Sequence, residues 1–231
     1  MTETLDLSPR LPEGYRLVGL VEPTVEEDEA DRAFTTVDET TVRLLRRETR
    51  IGLARGTVTP VDTGEPGLRG YDIPLILVVQ THPESTVAWS RLVLDLSPSP
   101  GATVAAMSPT LVEGDTPQEI ETTLGANLTF SVAGTPLGLE AGPEVLRRRT
   151  VYCPRITSSG VGFTSAYWDF RASDRAFLHV NEELRLLVRA PAGQPVDAVV
   201  TLRTRVLPRG LGRFLRLSGK IAGIDGSCRL V

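Results

Sequence analysis

The sequence predicts an all-β protein, built as one large antiparallel β-sandwich or as two smaller ones meeting near residues 115–145, with little helix. From Ile73 onward apolar residues recur at every second position, the period of a strand with one buried face. Glycine and proline break that pattern at short intervals, as turns between strands do. Ala-rich stretches are scarce and β-branched residues are common, which favours strands over helices. With 231 residues and 41% hydrophobic content, the chain can bury the core such a fold needs.

Residues 1–40 form an acidic N-terminal arm, and 41–231 the sandwich domain. Within the arm, GYRLVGLVEP is a short apolar element set apart by Pro12 and Pro23. It cannot bury itself alone, so Tyr15, Leu17 and Leu20 are candidate contacts with a sheet edge, of the same chain or of a neighbour. The segment 36–56 suits a helix from about Asp38, with Val42, Leu45 and Thr49 at spacings of three and four, and suits a strand equally.

In IPLILVVQ, Ile73, Leu75, Leu77 and Val79 share one face, while Ile76 and Val78 make the other apolar, as in a central strand covered on both sides. VAWSRLVLDL follows across THPES, so the two read as a hairpin. NLTFSVA puts Leu128, Phe130 and Val132 on one side and Thr129 and Ser131 on the other, the mark of a sheet with one wet face. ELRLLVRAP repeats the pattern with Leu184, Leu186 and Val188. After the turn PAGQP, the file Val196, Ala198, Val200, Leu202, Thr204 and Val206 is the clearest amphipathic strand in the chain.

YCPRITSSGVGFTSAYWDF combines a thiol, hydroxyls and two glycines, and it reads as a turn between strands. A phosphate-cradling loop needs a longer glycine pattern with a lysine or a following helix. A nucleophile at Ser158, Ser159 or Cys153 needs a base, and neither His82 nor His179 stands beside a recognisable nucleophile motif. The same two histidines lack the close partners a zinc site uses. Glu119 and Glu121 in QEIETTL have the spacing of paired carboxylates, but alternation with apolar residues is also how a solvated strand reads. Trp89 and Trp168 are expected in the core. No catalytic residue, cofactor or metal is expected, and the chain is read as non-enzymatic.

Charge is unevenly placed. Residues 1–40 carry eleven acidic and three basic side chains, and 201–231 carry seven basic and one acidic. Arg209, Arg213, Arg216 and Lys220 are spaced four, three and four apart, so a helix over 208–224 would gather them on one face and suit an anionic membrane or acidic partner. Gly210, Gly212, Gly219 and Gly223 disfavour that helix and favour short strands, RFLRL and KIAGI. The expected partner is another protein or further copies of the chain, with a membrane as the alternative and a hydrolase or carbohydrate-binding role behind it. Nucleic acid is not expected, because the basic clusters show no interleaved aromatics in a net-acidic chain. The start of the chain has no signal-peptide pattern, so a cytoplasmic setting is expected, and the near-exclusive use of arginine over lysine suggests a bacterial source.

Overall fold

The structure is a computed structural model that describes residues 11–26, 49–81, 85–124, 145–172, 183–207, 215–221 and 227–231; for 114–124 and 145–154 it describes backbone pairing alone. It is an antiparallel β-sandwich, as the alternation predicts, and the described residues contain no helix.

The strands are β1 (Arg16–Val21), β2 (Thr24–Glu26), β3 (Arg50–Arg55), β4 (Thr59–Val61), β5 (Leu68–Gln80), β6 (Thr86–Asp95), β7 (Thr103–Ser108), β8 (Leu111–Leu124), β9 (Val145–Ser159), β10 (Ser165–Arg171), β11 (Leu184–Pro191), β12 (Asp197–Leu207), β13 (Leu215–Ile221) and β14 (Cys228–Arg229). The smaller sheet runs β1-β3-β5-β11-β7, with β4 also on β5. The larger runs β2-β13-β12-β6-β10-β9-β8, with β14 also on β12.

The files read from the sequence line the space between the sheets. Ile73, Leu75 and Leu77 of β5 and Leu184, Leu186 and Val188 of β11 come from one side, and Val200, Leu202, Leu92, Leu94, Trp168 and Phe170 from the other. The second apolar face of β5 is covered as expected. Ile76 and Val78, with Ala54, form a small cluster under Leu11, Tyr15 and Leu20. The described part of the acidic arm therefore docks in cis: β1 pairs with β3 at the edge of the smaller sheet, and β2 pairs with β13 at the edge of the larger. Where the two edges approach, a Cβ on Gly219 would lie 2.6 Å from Val21 Cγ2, so only glycine fits there.

Two expectations are corrected, and two readings left between helix and strand resolve to strand. β5 and β6 do not form a hairpin, because β5 lies in the smaller sheet and β6 in the larger. Trp89 is not in the core: β6 turns Ser90, Leu92 and Leu94 inward and leaves Trp89, Arg91 and Val93 half-buried on the outer face. Thr49 lies just before β3, and Arg50–Arg55 is a strand; the rest of the helix candidate lies outside the described residues. The four-residue cationic helical face is not formed, because Leu215–Ile221 is strand β13, as the glycines suggested. A strand places Arg216 and Lys220 on one face with Ser218 between them. Arg209 and Arg213 lie outside the described residues.

Candidate functional site

The turn reading of 152–170 holds. β9 ends at Ser159, Gly160 and Gly162 take φ of 133° and 86°, and β10 begins at Ser165. A Cβ on Gly160 would lie 2.5 Å from Ser165 O, so the reversal needs glycine. Gly162 N–H donates to Val104 O and Val104 N–H donates to Phe163 O, which pins the turn to the edge strand β7. Phe163 and Val161 stay exposed, Phe163 at 70%. The side chain of Cys153 and both histidines lie outside the described residues. Among the described residues no group of three or more His, Cys, Asp or Glu could hold a metal ion. Cys228 is buried beside Asp197, and burial pushes its thiol up to about 11.

Two features stand out. The first is a two-stranded ribbon. β10 pairs with β9 only from Ile156 to Ser159, whereas β8 follows β9 all the way out to Val145. The register slips at Glu113↔Pro154 and resumes at Pro117↔Tyr152, then runs unbroken to Leu124↔Val145. Those eight pairs extend about 25 Å at roughly 3.3 Å per residue. Beyond Pro154 no third strand among the described residues pairs with either edge of the ribbon. Glu119 stands opposite Thr150 and Glu121 opposite Arg148 in the backbone register, so QEIETTL on β8 pairs along the sequence run 147–149 of β9.

The second feature is the outer face of the larger sheet. In one register row Arg171, Trp89, Arg205, Arg216 and Glu26 lie side by side. The next row holds Leu111, Thr157, Asp169, Arg91, Arg203, Ser218 and Thr24, and the third Ser159, Tyr167, Val93, Thr201 and Lys220. At the centre Arg91 Nε donates to Asp169 Oδ1 at 2.7 Å and Nη2 to Oδ2 at 2.5 Å. Its guanidinium also sits 5.5 Å from the Trp89 ring centroid and 4.8 Å from that of Tyr167. The carboxylate holds the Arg91 pKa above its usual value. Sequence reasoning missed this assembly because it brings together two strands, β6 and β10, far apart in the chain.

Of the contact residues expected from sequence, Tyr15 donates to Glu183 Oε2 at 2.8 Å, and Leu20 packs with it over Ala54. Burial, reinforced by Glu183, pushes the Tyr15 phenol up to about 12. Leu17 is exposed on β1, and Arg216 and Lys220 are exposed on β13.

No family model matches the chain, and no curated protein matches it in sequence. Among solved structures it is similar to the Clostridium perfringens NetB toxin in its membrane-inserted form, at 9% identity and a TM-score of 0.36 over 74% of this chain and 87% of that one. It is also similar to a structure described as a pore forming protein, at 9% identity and TM-score 0.33 over 75% and 84%. A third is Clostridium perfringens delta-toxin, at 9% and 0.29 over 75% and 89%. At such TM-scores the likeness carries no weight about what this chain does.

Proposed function

We propose that this chain is a non-enzymatic module that assembles with its own copies by pairing ribbon edges, the β9 edge of one copy receiving the β8 edge of the next. The observation that carries this reading is the register: β9 leaves its body-side neighbour at Ile156 and, among the described residues, continues to Val145 with β8 as its one partner. A two-stranded hairpin is marginal by itself in water, and its unpaired N–H and C=O groups are a template for another strand. Edge pairing would set the acidic stretch of β8 from one copy alongside the arginine-bearing run 147–149 of β9 from the next, in addition to the β8 of its own chain. Such head-to-tail pairing is heterologous and yields a ring where the rotation closes.

The test uses adjacent prolines. On neighbouring strand residues one N–H points to β9 and the next points away. Of Thr122→Pro and Thr123→Pro, one removes an N–H inside the hairpin and the other removes an N–H at the open edge. Sedimentation velocity should show concentration-dependent oligomers for the parent chain and a folded monomer for the edge-blocked variant. A parent chain that stays monomeric at every concentration would refute the reading.

A second reading, action on a membrane, is favoured by the sequence that joins the ribbon's two strands. Leu124, Leu128, Phe130 and Val132 alternate with Asn127, Thr129 and Ser131, and residues 125–144 contain no lysine or arginine. Alternation over about ten residues is what a membrane-crossing β-strand requires. Dye release from vesicles tests it, with retention of dye as the negative result.

A further inference from the structure

We infer that the outer face of the larger sheet docks on an anionic bilayer surface. Arg171, Arg203, Arg205, Arg216 and Lys220 are exposed there across β10, β12 and β13, and Arg91 stands among them. The carboxylates on the same face include Asp169, which Arg91 engages, Glu26, which lies 3.4 Å from Arg203, Asp95, which accepts from the Ser97 N–H, and Asp197, which accepts from Arg229 Nε at 2.7 Å. Cations outnumber them, so the face complements negative charge. It is also broad: β13, β12, β6 and β10 are four adjacent strands, which at ~4.8 Å per step span about 14 Å.

Its shape selects the class of anion. The slot between Trp89 and Tyr167 is filled by the Arg91 guanidinium, so no base or sugar ring can enter between the rings. Tyr167, Trp89 and Val93 remain as a shallow apolar patch, with Arg171 and Arg205 on either side of Trp89. Tyrosine and tryptophan at headgroup level, flanked by arginine, are what a membrane surface accepts, and each basic side chain near such a surface adds a similar increment of binding. Docking needs neither ribbon pairing nor insertion, so vesicle binding, oligomer mass and dye release are read separately.

The experiment is co-sedimentation with phosphatidylcholine vesicles, with and without phosphatidylserine. It compares the parent chain, the face variant Arg171→Gln/Lys220→Gln and the control Arg185→Gln/Arg189→Gln, whose two charges lie on the outer face of the smaller sheet. The parent should bind only phosphatidylserine vesicles, and rising salt should weaken that binding. The face variant should bind about 25-fold more weakly, since ~1 kcal/mol per charge is about fivefold each, and the control should bind as the parent does. Tryptophan emission should shift to the blue on binding, from Trp89, because Trp168 is fully buried already. Equal loss in both variants, no binding by the parent, or binding to an oligonucleotide or heparin with vesicles left unbound would overturn the inference.

Discussion

Removing Arg91 should cost more stability than removing Asp169, although the two form one ion pair. Asp169 retains 10% side-chain exposure and Arg91 retains 36%. Arg91→Ala leaves a carboxylate in a nearly closed site without its two hydrogen bonds. Stranding a buried charge costs about 3–5 kcal/mol, and partial exposure here argues for the lower end. The same substitution loses two ring contacts, each worth roughly 0.5–1 kcal/mol at exposed sites. Asp169→Ala leaves a guanidinium that still reaches water and still stacks on Trp89 and Tyr167, so about 1–2 kcal/mol is expected, the loss of a charged hydrogen-bonded pair. Urea denaturation of both single variants and the double variant measures this directly. The double should cost less than the sum of the singles, because neither charge is then stranded. Additive singles, or an Asp169→Ala variant less stable than Arg91→Ala, would show that this face is not organised around the pair.

Other outcomes follow from the same packing. Leu202→Ala should destabilise by about 2–5 kcal/mol in a thermal or urea melt, while Thr201→Ala, one position earlier and facing outward, should change little. Gly219→Ala should cost roughly 1–3 kcal/mol, because its methyl would lie 2.6 Å from Val21 Cγ2 and 3.1 Å from Ile51 Cδ1. In a Cys153→Ser background, Cys228 should react with iodoacetamide near pH 8 about 100-fold more slowly than an unfolded thiol, since a pKa near 11 in place of 9 lowers the thiolate fraction by two decades. Raising the pH toward 11 should speed the reaction, and prior unfolding should abolish the difference.

Alternation made much of the fold legible. The file from Val196 to Val206 is inside at every alternate place, and the two apolar faces of β5 announced a strand covered twice. Trp89 was misplaced because both files of β6 are largely apolar, so period alone cannot say which faces in. Here the leucines fill the core, and a bulge between Arg205 and Val206 returns Val87 to it. The ribbon was not legible for a different reason. Each of its strands alternates like any half-solvated strand, and what distinguishes it is that no third strand among the described residues pairs with it beyond Ile156, a property of non-local pairing. The Arg91 cluster is hidden likewise, since Trp89 and Tyr167 are 78 positions apart and meet only through the β6–β10 register.

Hydrogen exchange followed by mass spectrometry across a range of protein concentrations probes ribbon pairing most directly. Amides in 117–124 and 145–152 should exchange readily in dilute solution and gain protection as concentration rises, while those of β5 and β12 stay protected throughout. Ribbon amides that exchange at one rate at every concentration would contradict assembly through these edges.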